Sequence, residues 1–297
     1  MGEERGGSSG RTHTKGPDTI RKELYKLYSW HRDIKLADVG NLLPGAFLAD
    51  AYAAMKTVVA ELIAANKTVI ILGGSHDLTY PQYKAYASQE LIVEATVADA
   101  LIDLNENSRI RSERFLMDIL TEQPNYLRHY NHLGFQSYFV HPRMLETLDK
   151  LRFDCFRLGR IRENMEEAEP VLRHSDLFSL DINIIKHTDA PANHLSPNGF
   201  TGEEACMLAR YDGMSSRLFM DGRAVKGKEA ALEDRDAFWE FHIAFSDIET
   251  VFLKSKKTGR WWMQLPDQEF VPCAYNDYLM ASNNEMPERW LRHQERL

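Results

Sequence analysis

Residues 68–77 read Thr68-Val69-Ile70-Ile71-Leu72-Gly73-Gly74-Ser75-His76-Asp77. The β-branched run at the start of this stretch predicts a buried strand over residues 68–72. The two glycines that follow permit a tight turn, because glycine adopts backbone conformations that other residues avoid. The stretch therefore predicts a strand end that carries His76 at the edge of a sheet.

Two further loops place potential metal ligands at predicted strand ends. Asp99-Ala100-Leu101-Ile102-Asp103 follows a strand over residues 92–98, and Ser179-Leu180-Asp181-Ile182-Asn183 closes a strand over 177–181. Open parallel sheets bind ligands at the carboxyl ends of their strands, and imidazole and carboxylate groups are metal ligands. Strand-end carboxylates also cap the next helix, and a Gly-Gly-x-His turn also occurs with a solvated histidine, so each loop by itself leaves both interpretations open.

The rest of the chain alternates short apolar runs with stretches of helical period, which is typical of an α/β protein with a mostly parallel sheet. The pattern predicts the following elements: strands over 34–38, 68–72, 92–98, 136–140, 154–158, 177–181 and 218–221, and helices over 17–27, 46–65, 81–88, 113–121, 143–151, 165–174 and 202–211. After Gly222 we expect a charged helix over 228–244, a hairpin turning at residues 256–259 and a last helix over 287–297. This pattern predicts an α/β domain over 1–245 and a hairpin-and-helix appendage over 246–297.

Composition and charge exclude several classes of protein. The 297 residues include 36 Lys and Arg against 44 Asp and Glu, a net charge of −8, which argues against binding to nucleic acid. The apolar stretch over residues 46–65 is interrupted by Asp50, Lys56 and Glu61, so we expect no membrane span. Three widely spaced cysteines without a CxxC pair predict reduced thiols and a cytoplasmic protein.

In order and spacing, the three loops together resemble the ureohydrolase family of arginase, agmatinase and formimidoylglutamase. That family has GGDHS, DAHxD and SxDxD loops at successive strand ends. Gly10-Arg11 with Gly16-Pro17 is similar to its entry motif, and Asn198-Gly199-Phe200-Thr201 to its GGLT helix start. The resemblance covers about residues 10–222 and is strongest to the formimidoylglutamase-like branch. It implies a three-layer α/β/α fold, a homo-oligomer, and a first strand that precedes Gly10 and is missing from this chain.

The resemblance also implies a set of metal ligands, with two positions changed. In the family one Mn²⁺ ion, here called ion A, is held by the residues that correspond to His76, Asp99, Asp103 and Asp181. The second ion, ion B, requires a His and an Asp, and this chain has Leu101 and Asn183 in their places. Leucine has no lone pair, and an amide oxygen is a weaker ligand than a carboxylate. We therefore expect at most one divalent ion.

Two functions remain compatible with this set. The family activates water between two metal ions, and other elements of its site are missing as well. Residues 104–128 contain no histidine, and Arg223-Ala224-Val225-Lys226 stands where an ExNP motif would follow the last strand. The first hypothesis is a metal-dependent hydrolase of a C–N bond in a small linear amidine or amino-acid derivative, with catalytic residues unassigned. The second is a pseudoenzyme that uses the scaffold to bind a metabolite or a protein.

One further histidine pair has two interpretations. His129 and His132 have an i, i+3 spacing that would place both on one helix face. A metal site is one interpretation, and a solvated helix face over residues 127–133 is the favoured one.

Overall fold

The computed structural model describes residues 1–12, 15–29, 34–215 and 235–294. The chain forms two compact units: unit 1 contains Met1–Val93 and Asp103–Leu127, and unit 2 contains Glu94–Ile102 and Arg128–Leu297. The predicted strand over 218–221 lies outside the described residues, as does the first part of the helix predicted over 228–244.

Unit 1 is mainly helical in its described residues. Its elements are the two-residue strands β1 (Glu3–Glu4) and β2 (Arg11–Thr12) and the helices α1 (Gly16–Leu24), α2 (Leu48–Ala64), α3 (Thr79–Ala87) and α4 (Phe115–Leu120). Ala51, Met55 and Val59 recur every four residues along α2 and are buried, so one face of this helix forms the core of the unit. The four predicted helices of this part of the chain are confirmed.

Unit 2 contains a four-stranded sheet in the order β5-β4-β3-β6. Its strands are β3 (Val93–Ala98), β4 (Leu127–Phe135), β5 (Asp154–Arg157) and β6 (Leu177–Leu180). The pairs β3–β6 and β4–β5 are parallel. The connecting helices are α5 (Pro142–Lys150), α6 (Leu158–Glu163), α7 (Ala168–His174) and α8 (Gly202–Asp212). The predicted α/β class with a mostly parallel sheet is confirmed.

The chain after residue 234 adds an antiparallel sheet. Its strands β7 (Phe238–Phe245), β8 (Ile248–Ser255), β9 (Trp261–Gln264) and β10 (Phe270–Cys273) pair in chain order, and α9 (Tyr275–Ser282) and α10 (Glu288–Gln294) follow. The hairpin predicted at residues 256–259 is confirmed, with Gly259 at a φ of 72°. The helix predicted over 228–244 is wrong over residues 238–244. Every second side chain there is apolar, and Phe241 and Ile243 pack on the core of this sheet.

Three other predicted strands are absent from the described residues. The segments 34–38 and 68–72 form no strand. Leu36 is 76% and Ile70 73% exposed, whereas Val69 and Ile71 pack against the core of unit 1. A β-branched run becomes a strand only where neighbouring strands supply backbone partners, and pattern alone does not reveal this. The strand predicted over 136–140 lies instead at Leu127–Phe135. This strand is buried over residues 129–135 in spite of its polar residues, and the solvated helix face proposed for His129 and His132 is wrong.

Candidate metal centre

Two predicted ligands of unit 2 lie at the carboxyl ends of neighbouring parallel strands. Asp99 directly follows β3 and Asp181 directly follows β6. Because Ala98 pairs with Leu180 in the sheet register, the two aspartates are adjacent across the sheet. A carboxylate oxygen of Asp99 and one of Asp181 lie within 4.8 Å of each other. This separation allows one cation to bind both.

Backbone hydrogen bonds orient both carboxylates. The Leu101 amide donates to Asp99 Oδ1 at 3.2 Å, and the Asn183 amide donates to Asp181 Oδ1 at 2.7 Å. The second contact caps the 3₁₀ turn Ile182–Ile184. The capping role and the ligand role considered from the sequence are therefore compatible, since a carboxylate accepts several hydrogen bonds or metal contacts at once.

A buried histidine of β4 supports the Asp99 loop. His132 is fully buried, its Nε2 donates to the Asp99 backbone carbonyl at 2.9 Å, and its Nδ1 accepts from the Tyr130 hydroxyl at 2.8 Å. Both ring nitrogens therefore have partners in the fold. His132 fixes the backbone at Asp99 from the neighbouring strand.

The other two predicted ligands, His76 and Asp103, are paired in unit 1. His76 begins the 3₁₀ turn His76–Leu78, directly after the glycine turn. Gly73 and Gly74 have φ angles of 83° and 92°, in the left-handed region that favours glycine, as the sequence predicted. His76 Nδ1 lies 3.0 Å from an Asp103 carboxylate oxygen, and its ring packs on Phe115 at 4.8 Å.

The structure adds an acid that sequence reasoning did not select. Asp77 is fully buried beside His76 and accepts hydrogen bonds from the hydroxyls of Tyr52 and Ser75. Burial raises the pKa of the Asp77 carboxyl, and the hydrogen bonds oppose that rise. A Cβ at Gly6 would overlap this carboxylate. The signal in the sequence was Ser-His-Asp, where the resembling family has Asp-His-Ser.

A second missed residue fixes the loop after Asp181. Asn193 is fully buried, and its side-chain amide donates to the carbonyls of Asn183 at 3.3 Å, Ile185 at 2.6 Å and Ser196 at 3.0 Å. The turn-rich composition of residues 189–199 indicated a loop but did not show which residue holds it. Asn193 thereby stabilises the backbone that carries the changed position Asn183.

The carboxylates at these strand ends are hard oxygen donors of the kind that suits Mn²⁺. Two carboxylates within 4.8 Å of each other repel, and a divalent cation between them would relieve that repulsion, so the donor set fits such an ion. The remaining two positions of the family's site, Leu101 and Asn183, supply backbone amides to this arrangement.

The fold and the strand-end carboxylates define an α/β protein of the arginase type. The model of the Arginase family matches residues 4–220, and the chain belongs to this family. Its similarity to formimidoylglutamases, inferred from the loops, is also confirmed by its relatives.

Two curated relatives are formimidoylglutamases. The one from Staphylococcus haemolyticus is 31% identical over 96 residues, which are 32% of this chain and 30% of the relative. The one from Hahella chejuensis is 24% identical over 194 residues, 59% of each chain. The chain thus spans less than two thirds of the length of either relative.

Solved structures show the same fold at low identity. A formiminoglutamase from Trypanosoma cruzi, solved with Mn²⁺, has a TM-score of 0.61 at 18% identity, with 69% of this chain and 76% of that chain covered. Arginase from Bacillus subtilis has a TM-score of 0.57 at 16% identity, covering 71% and 85%. The three-layer α/β class is confirmed by these similarities. Among the described residues, no helix is long and apolar enough to cross a membrane.

Proposed function

We propose that the chain is a metal-dependent hydrolase of the ureohydrolase type that cleaves a C–N bond in a small linear amidine, and that it binds one Mn²⁺ ion. The observation that carries this proposal is the pair of carboxylates, Asp99 and Asp181, within 4.8 Å of each other at neighbouring strand ends. Formimidoylglutamate is the first substrate to test, because the two relatives described above are formimidoylglutamases.

Asp99 and Asp181 would hold the ion together with His76 and Asp103. The inclusion of the last two residues rests on the family pattern. A bound Mn²⁺ supplies Lewis acidity, which polarises a water molecule and the amidine. The chain's own contribution is orientation: the backbone amides of Leu101 and Asn183 each donate a hydrogen bond to one carboxylate oxygen of Asp99 and of Asp181.

A second candidate function is that of a pseudoenzyme, and Leu101 and Asn183 favour it. Without side-chain ligands at these two positions, a second ion has fewer donors. A single ion surrounded by three carboxylates has little net positive charge and acidifies water less. In this case the same scaffold would bind an amidine or amino acid without turning it over.

Metal content and turnover distinguish the two functions. We expect elemental analysis of the Mn²⁺-equilibrated protein to find no more than one ion per chain, and His76→Ala to lower that occupancy. Two tightly bound ions, or unchanged occupancy in His76→Ala, would contradict the ligand assignment. Release of ammonia or formamide from formimidoylglutamate, or of urea from agmatine or arginine, identifies an enzyme. Binding of these compounds without turnover identifies a pseudoenzyme.

A further inference from the structure

We propose that unit 2 contains a second ligand site at the amino ends of its parallel strands, and that this site binds a small aliphatic amine as a cation. A cavity of about 260 Å³ begins at Glu94 in β3, His129 in β4 and Asp154 in β5. Glu94 and Asp99 lie on the same strand five residues apart, about 16 Å at 3.3 Å per residue. The cavity therefore lies at the amino ends of the strands, whereas the carboxylates of Asp99 and Asp181 lie at the carboxyl ends.

The cavity is built partly by chain outside the part that matches the Arginase family. That match ends at residue 220, whereas Glu288, Arg292 and His293 of α10 form one wall. Asp277 and Met280 of α9 contribute to the same wall. The site thus depends on the C-terminal addition, and it is independent of the function proposed above.

Ionisable groups are buried at the base of this cavity. Glu94 is 3% exposed and Asp154 8%, and each lies against an imidazole: Glu94 Oε2 is 3.0 Å from His174 Nε2, and Asp154 Oδ2 is 3.2 Å from His129 Nε2. Removing charged groups from water costs free energy, and apolar residues of the same size would stabilise the packing of two layers of secondary structure at least as well. Packing alone therefore does not explain these buried groups. Buried ionisable groups that line a cavity are typical of a ligand site.

The balance of charge favours a cation. Carboxylates in the cavity wall outnumber guanidinium groups by six to three. The three guanidinium groups of the wall already contact carboxylates: Arg160 with Glu288 at 2.8 Å, Arg289 with Asp277 at 3.1 Å, and Arg292 with Asp154. Arg128, which is outside the wall, contacts Glu94. Even with Arg128 counted, carboxylates outnumber guanidinium groups by six to four, so the wall repels an anion and attracts an ammonium group.

The apolar residues of the wall indicate the chemistry of the uncharged part of the ligand. Phe156 of β5, Val171 of α7 and Met280 of α9 line the cavity beside the charged groups. The cavity of about 260 Å³ is slightly smaller than the usual ligand pocket, whose volume starts at about 300 Å³, so the ligand should be small. An unbranched alkyl amine or diamine of about five carbons matches this volume and this mixture of groups.

Isothermal titration of the full chain with 1,5-diaminopentane tests the proposal, and glutarate is the matched dianion. We expect the diamine to bind at a single site and glutarate not to bind. Glu163→Gln removes an exposed carboxylate at the cavity mouth and should weaken diamine binding about threefold. Asp154→Asn at the base should weaken it about tenfold.

Two control variants separate this site from others. Glu146→Gln removes an exposed carboxylate of α5 outside the cavity, and Asp99→Asn removes a carboxylate at the opposite sheet edge. Neither should change diamine binding. The proposal is overturned if the diamine does not bind at millimolar concentration, if glutarate binds equally well, or if Asp99→Asn weakens binding while Glu163→Gln does not. Should Asp154→Asn fail to fold, the comparison of Glu163→Gln with Glu146→Gln decides.

Discussion

Replacing Asp181 with asparagine should have opposite effects on stability in the absence and presence of metal. Two unit charges 4.8 Å apart repel by about 3.5 kcal/mol at an effective dielectric constant of 20. Asp181 is half-buried, so solvent screening reduces the gain from removing one charge to about 1–2 kcal/mol. The asparagine oxygen can still accept the Asn183 amide hydrogen bond, which is 2.7 Å in the native protein. We therefore expect Asp181→Asn to be more stable than the native chain in EDTA.

Excess Mn²⁺ should reverse that order. A ligand that binds only the folded state stabilises it by about 2.7 kcal/mol at a hundred times its Kd. The variant, which lacks one of the carboxylates, should gain less than about 1 kcal/mol under the same conditions. Urea unfolding followed by tryptophan fluorescence, with EDTA and with Mn²⁺, measures both differences.

A matched control and a clear negative outcome complete this experiment. Asp189→Asn removes an exposed aspartate whose pKa is lowered by a hydrogen bond from the Gly202 amide. It should keep the full stabilisation by Mn²⁺. If Asp181→Asn is destabilised in EDTA by more than about 1 kcal/mol, or if it keeps the full gain with Mn²⁺, the two aspartates do not form a cation site.

Three further predictions concern other parts of the chain. Burial raises the pKa of the Asp212 carboxyl from 3.8 to about 7. Between these two pH values the carboxyl is protonated in the folded state and ionised in the unfolded state. The free energy of unfolding therefore falls as pH rises through this range. Asp212→Asn should therefore stabilise the protein by about 2 kcal/mol at pH 8 and by nothing near pH 4, measured by urea unfolding at both values; an equal effect at both would contradict this assignment. Thr201→Ala removes a hydrogen bond from the Glu204 amide at 3.1 Å, and thermal unfolding should show a loss of about 1 kcal/mol, while Thr201→Ser should retain most of the stability. The double variant Leu101→His/Asn183→Asp should raise the Mn²⁺ content of the chain by one ion, and unchanged content in elemental analysis would show that further positions prevent binding of ion B.

The features that the sequence predicts correctly are those whose physical cause lies within a few neighbouring residues. The strand ends at Asp99 and Asp181 were predicted because apolar runs stop at polar residues there, and the turns at Gly73 and Gly259 because their positive φ angles favour glycine. The capping box that begins α8 at Thr201 is equally local.

The features that the sequence does not predict are those whose burial depends on residues far away in the chain. β4 contains His129, Asn131 and His132, all buried, and reads as polar; His129 pairs with Asp154 of the neighbouring strand, and Asn131 Nδ2 donates to Thr96 Oγ1 at 3.4 Å. Such pairs satisfy polar groups inside the protein, but the partners come from other strands and no local pattern reveals them. The exposed run at Ile70 is the converse case, in which a strand pattern has no ladder among the described residues.

The contacts at the strand ends explain why a one-ion centre is physically coherent in spite of the two changed positions. Leu101 and Asn183 orient Asp99 and Asp181 through backbone amides, and a backbone amide is present whatever the side chain is. Changing the side chains at these two positions therefore removes donors for ion B without disturbing the carboxylates that would hold ion A. A one-ion centre at Asp99 and Asp181 would therefore need only residues that this chain retains.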